Sequence, residues 1–173
     1  MPHPCSAHYP LTQPNRLART VSRLQALPAP LRRWAISALL GQAVPLVGTA
    51  RLCFEHITTT QVVVSLANRR KVRNHIGGVH AAAMALLAET ATGFVVGMNV
   101  PDDKVPVIKT MKVDFQRRAV GALKAVASLQ AGQITLMQEQ DKGETTVSVV
   151  ITDESGQQPI QAEMLWAWVP KRR

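Results

Sequence analysis

The chain has 173 residues, 46% hydrophobic and 18% charged, enough apolar material for one buried core and too much for a disordered polymer. Its net charge of +9 favours anionic partners: phosphorylated small molecules, acidic membrane surfaces or nucleic acid. Nucleic acid is the weakest of these, because aromatic residues make up only 4% and no helix-turn-helix, zinc-finger or RNA-recognition signature is present. Cys5 and Cys53 form neither a disulfide framework nor a metal-ligand spacing, and the scattered histidines make no ligand set, so the expectation is a metal-free protein of the reducing cytoplasm.

Residues 1–14, with proline at 2, 4, 10 and 14, read as an irregular arm and lack the apolar core of a secretory signal. A helix is predicted from Asn15, a good N-cap, with Leu17, Val21 and Leu24 on one face and Arg16, Arg19 and Arg23 on the other. The Leu27–Pro30 stretch breaks it. A second helix follows, in which Leu31, Trp34, Ala35, Ala38 and Leu39 form the stripe expected to be buried. Residues 1–54 carry six arginines and no acid. The expectation is a lid or brace on the rest of the domain, with membrane-surface contact by the basic helices as the weaker alternative.

Strand signals take over at Thr49–Glu55, where Ala50, Leu52 and Phe54 alternate with polar residues, and resume at Val62, Val64 and Leu66. A basic connection, Arg69–Arg73, leads to an apolar helix from about Gly78 to Val96. Beyond Pro101 the pattern reads as four strands. In the first, Val107, Met111, Val113 and Phe115 share the apolar parity, which Lys109 interrupts. The second begins at Leu123 and is extended toward Met137. The third holds Val147, Val149 and Ile151, and the last runs through Ile160, Met164, Trp166 and Trp168. A helix so uniformly apolar needs cover on nearly every side, which a curved antiparallel sheet supplies. The organisation expected is an arm and helix pair at 1–46, one domain at 47–169 and a basic tail at 170–173.

Between Ile76 and Pro101, Glu89 is the only Asp, Glu, Lys or Arg. An ionised carboxylate there is costly unless paired, hydrogen-bonded or neutralised. A membrane span is disfavoured, since a charge at its centre costs roughly 2.5–3.5 kcal/mol on insertion scales. Two strands, one long helix and four strands is the order of the hotdog fold. The segment Asn74-His75-Ile76-Gly77-Gly78-Val79-His80-Ala81-Ala82, followed by Leu87-Ala88-Glu89, resembles the acyl-CoA thioesterases of the phenylacetyl-CoA type. One departure is His80-Ala81-Ala82 where those enzymes carry His-Gly-Gly.

The resemblance implies an α+β hotdog domain that hydrolyses acyl-CoA without a cofactor beyond the coenzyme A of its substrate. Glu89 would be nucleophile or general base, the Ala81 N–H the oxyanion donor, and Asn74 and His80 positioning groups. Gly77, Gly78 and Thr90 would line the substrate, and Lys112, Arg117 and Arg118 would meet the phosphates of coenzyme A. Each also has a plainer reading: Asn74 as an Asx-turn, His80 as a helix-start hydrogen bond, the arginines as a solvated strand end.

Ala81 and Glu89 are eight residues apart, about 12 Å along a helix, too far for one carbonyl to meet both. His80 and Glu89 lie on opposite faces, so a dyad within one chain is not expected. Two antiparallel helices would bring each Glu89 to the other's start, which implies a homodimer, or a homotetramer built from it. Two alternatives stay open: an acyl-CoA binder without catalysis, and a dehydratase using His75 and Glu89, whose 14-residue spacing resembles that of the hotdog dehydratases although their intervening prolines are absent.

Overall fold

The computed structural model describes residues 14–172; the N-terminal arm expected at 1–14 falls, apart from Pro14, outside the described residues. Three helices come first: α1 (Arg16–Gln25), α2 (Ala29–Ala43) and α3 (Pro45–Ala50). Asn15 caps α1 as expected, its side chain accepting from the Ala18 N–H at 2.8 Å. The Asn15 amide also donates to the carbonyls of Gly97 (2.7 Å) and Val100 (2.6 Å), tying α1 to the end of the central helix.

β1 (Cys53–Ile57) and β2 (Gln61–Leu66) precede the central helix α4 (Ala81–Gly97). Then come β3 (Lys104–Phe115), β4 (Leu123–Ser128), helix α5 (Ala131–Glu139), β5 (Gly143–Asp153) and β6 (Ile160–Pro170). The strands form one six-stranded sheet in the order β1-β2-β4-β5-β6-β3, and every pairing is antiparallel. The sheet curves around α4, whose Leu87, Ala88, Ala91 and Val95 are completely buried. A helix apolar all round is stable only when sheathed in this way. Among the described residues no helix is long and apolar enough to cross a membrane.

Several expectations are corrected. Thr49 and Ala50 do not open a strand: Pro45 stands in the first turn of α3, where its missing N–H costs nothing, and the strand starts at Cys53. The strand expected to run toward Met137 stops at Ser128. Gln130 and Gln133 then cap α5 reciprocally, Gln133 accepting the Gln130 N–H at 2.8 Å. In α2 the expected stripe lies outward: Ile36 and Leu40 are buried, while Leu31 and Trp34 are exposed.

The fourth correction concerns β3. Lys109 is a bulge, because Ile108 pairs with Trp166 and Thr110 with Leu165, leaving Lys109 unmatched. The inward parity therefore switches along the strand. Pro106 and Ile108 face inward opposite Trp168 and Trp166; Met111, Val113 and Phe115 do so opposite Met164, Ala162 and Ile160. Val107 points outward, contrary to the simple alternation. The bulged Lys109 side chain is free to pair with Glu144.

Candidate functional site

Glu89 sits in the middle of α4, half-buried, beside a cavity of about 230 Å³. Leu17 from α1 and Val44 and Val47 from the α2–α3 junction form one wall; Phe94, Pro106 and Trp166 form the other. Among the described residues no cation pairs with the carboxylate, and its partner is the Thr90 hydroxyl, donating at 3.5 Å. Burial pushes the Glu89 carboxyl above its ordinary range, and the weak Thr90 bond offsets only part of that. Thr90 itself is buried.

Trp166 is held over the helix by its indole N–H, which donates to Thr92 at 3.0 Å, while the Thr92 hydroxyl lies within bonding distance of the carbonyls of Ala88 and Glu89. This approach requires glycine at position 93, since a Cβ there would lie 2.7 Å from the Trp166 ring. Leu17, Val44, Val47, Gly93 and Trp166 were not among the site residues expected from sequence. The one local signal was a glycine four residues after the acid in an otherwise alanine-, valine- and leucine-rich helix.

The helix start forms a second, separate group. The Asn74 side-chain oxygen accepts the N–H groups of Ile76 and Gly78, both at 3.1 Å, closing an Asx-type turn. Gly77 takes the left-handed φ of +80° that this turn demands. His80 is the N-cap of α4, its Nδ1 accepting from the Ala82 N–H at 3.1 Å and its carbonyl from the Ala83 N–H at 2.9 Å. The Ala81 N–H has no acceptor among the described residues, and Ala81 and Ala82 are exposed. Arg118 joins this group by donating to the Ile76 carbonyl at 2.6 Å.

One chain thus gathers Asn74, Gly77, Gly78, His80, Ala81 and Arg118 at the helix start and leaves Glu89 and Thr90 two turns further on. Arg117 is not in the group: its guanidinium donates at 2.6 Å to Asp153, whose side chain is fully buried. Burial alone would raise the Asp153 carboxyl, but bonds from the Ser155 hydroxyl, the Val120 N–H, Arg117 and the Ser155 N–H together hold it well below the usual carboxylate range. Arg117 is therefore engaged in a structural pair within this chain. Lys112 lies on β3, exposed, 3.7 Å from Asp114. His75 is exposed on the turn and makes no hydrogen bond to Glu89 of its own chain.

A family model described as a domain of unknown function (DUF4442) matches residues 32–169, and the chain belongs to that family. No curated protein matches the chain. Among solved structures it is similar to PA5026 of Pseudomonas aeruginosa, a protein of unknown function described as a probable thioesterase. The identity is 26%, over 84% of this chain and 97% of that one, with a TM-score of 0.70. Thioesterase SAV0944 of Staphylococcus aureus is 19% identical over 73% of this chain and 100% of its own, with a TM-score of 0.60. Thioesterase HI1161 of Haemophilus influenzae is 12% identical over 76% and 88%, also at 0.60. The fold is the hotdog fold of these thioesterase-named neighbours.

Proposed function

We propose that the protein is an acyl-CoA thioesterase, and that Glu89 is the group that acts on the thioester. The observation that carries this reading is a carboxylate with no counter-cation among the described residues, at the edge of an apolar cavity large enough for a small acyl group. Such a group costs stability and gains no ion pair in return, the pattern of a carboxylate kept for chemistry. As nucleophile it adds to the thioester carbonyl carbon; as general base it takes a proton from the water that adds there. In either case the carbonyl π pair moves onto oxygen, and its return breaks the C–S bond and expels the coenzyme A thiolate. As general base, Glu89 then returns to that thiolate the proton it took from water; as nucleophile, it is left acylated as an anhydride, which water hydrolyses, restoring the carboxylate, releasing the acid and supplying the thiolate's proton. The reaction needs no cofactor beyond the substrate's own coenzyme A, and we place it in the cytoplasm.

The oxyanion needs a donor that is not already spent, and the Ala81 N–H at the start of α4 fits that need. It belongs to a second copy in our reading, since the two groups are about 12 Å apart along one helix. Support for a dimer comes from β3, a 12-residue edge strand whose inward-facing Met111 and Phe115 are 50% and 54% exposed. A homotetramer built from such dimers is compatible with the same edge. The Asn74 amide group, whose oxygen closes the turn, keeps its NH₂ for substrate or water. Arg118 and the exposed Lys112 are the candidates for the phosphates of coenzyme A. Further support is a matched spacing: two variants of SAV0944 replace a glutamine and a glutamate 15 positions apart, the separation of Asn74 and Glu89 here.

The test is release of free thiol from a panel of acyl-CoAs by the wild type and by Glu89→Gln. Turnover that disappears in Glu89→Gln supports the reading. Turnover that survives unchanged refutes the role of Glu89, and tight binding without thiol release favours an acyl-CoA binder instead.

A further inference from the structure

α2 is apolar on two faces, and the structure buries only one. Ile36 and Leu40 pack inward, leaving Trp34 69%, Leu31 48% and, on α3, Leu46 61% exposed. Beside this face lies a broad surface hollow, about 860 Å³, between α2 and the first strands. Trp34 and Leu52 line it together with Arg33, Arg51 and Arg69. A smaller hollow of about 200 Å³ shares Arg51 and Arg69 and adds Arg70 and Lys71. No carboxylate lines either hollow. Glu55 on β1 is engaged by Arg33 (3.7 Å) and Lys124 (2.8 Å). Arg51 is held in a left-handed conformation (φ 53°), and the Arg69 guanidinium donates to its carbonyl at 2.8 Å, so this cationic corner is fixed by the fold.

We propose that the exposed face of α2 and α3, with Arg33, Arg51, Arg69, Arg70 and Lys71 beside it, docks on the surface of an acidic phospholipid bilayer. An exposed Trp and leucines sink to the level of the headgroups, while neighbouring guanidinium and ammonium groups pair with lipid phosphates. Nucleic acid would meet the cations but give Leu31 and Leu46 nothing to bury against. A neutral protein partner would cover the apolar side chains but leave Arg51, Arg69, Arg70 and Lys71 without an anion. The α2–α3 junction also supplies Val44 and Val47 to the lining of the Glu89 cavity.

Flotation of the full-length protein with vesicles of phosphatidylcholine alone, or mixed with phosphatidylglycerol, tests the proposal. The wild type is expected to float with the mixed vesicles only, and less as salt is raised. Trp34→Ser with Leu31→Ser, and separately Arg70→Glu with Lys71→Glu, are each expected to weaken binding at least about tenfold while the melting temperature and oligomeric state stay unchanged. Trp34 fluorescence shifting to the blue on the mixed vesicles supports insertion; Trp166 and Trp168 are already buried. The proposal is overturned by equal binding to both kinds of vesicle, by binding to neither, or by undiminished binding of both double variants. It is also overturned if Trp34→Ser with Leu31→Ser dissociates an oligomer, because the face then belongs to a second copy.

Discussion

Replacing Ala81 by proline removes one hydrogen-bond donor from the start of α4 and changes almost nothing else. Ala81 is the first residue of the helix, where proline is tolerated because no intrahelical bond needs its N–H. His80 before it is already extended, at φ −66° and ψ 143°, the conformation that a residue preceding proline adopts. The next two N–H groups are held by His80 and are untouched. Stability should therefore change by no more than about 0.5 kcal/mol. If the Ala81 N–H stabilises the oxyanion, its loss should lower kcat about 10²–10³-fold, or roughly 2.7–4 kcal/mol, with a far smaller effect on KM. The assay is steady-state thiol release from the preferred acyl-CoA, beside a thermal melt. Ala81→Gly, which keeps the donor, is the control and should retain kcat. A proline variant that melts like the wild type and turns over within about a factor of three of it would refute the assignment.

The pH dependence follows from the raised Glu89 carboxyl. Activity that needs the carboxylate should climb with pH through a midpoint above the ordinary glutamate value of about 4.3, and a midpoint at or below that value would contradict the assignment. For stability, a raised folded-state value means that the native protein binds the proton more tightly. The benefit is fully present below the ordinary glutamate range and is lost as pH rises through the folded value. Glu89→Gln should consequently stabilise the protein at neutral pH by about 1 kcal/mol, or ~2–4 °C in Tm for a chain of this size, as a calorimetric scan would show. Asp153 carries the opposite sign: its stabilisation is present above about pH 4 and lost as pH falls further, and Asp153→Asn should cost about 3 kcal/mol in urea titrations by leaving Arg117 unpaired. Gly93→Ala would gain up to about 1 kcal/mol of helix preference but drive a Cβ to 2.7 Å from Trp166, so a net loss of about 1–2 kcal/mol is expected; an unchanged denaturation midpoint would show that Trp166 yields without strain.

Local chemistry made much of the fold readable in advance. Asn15 announced α1, the unbroken apolar run announced a sheathed α4, and alternation located five of the six strands to within a few residues. Where alternation failed, the cause was specific. Lys109 reversed the parity of β3 because a bulge inserts one residue, which no count of alternate positions registers. The α2 stripe was misplaced because both faces are apolar, and only tertiary packing chooses between Leu31 with Trp34 and Ile36 with Leu40. α5 was hidden because its cap is a pair of glutamines, not the usual serine or threonine with glutamate. Glu89 stood out as a lone charge. Its cavity did not, since the walls come from Leu17 and Val44, far earlier in the chain, and from Trp166, far later.

If the site is shared between two copies, mixing two inactive variants should restore it. Glu89→Gln keeps the helix start, and Ala81→Pro keeps the acid. Co-refolded in equal amounts, half of the dimers pair one of each, and each such dimer holds one complete site and one doubly damaged site. Two nearly inactive proteins should together recover about a quarter of wild-type turnover. Activity that stays at the level of the separate variants, in a mixture shown to contain the heterodimer, would contradict a shared site.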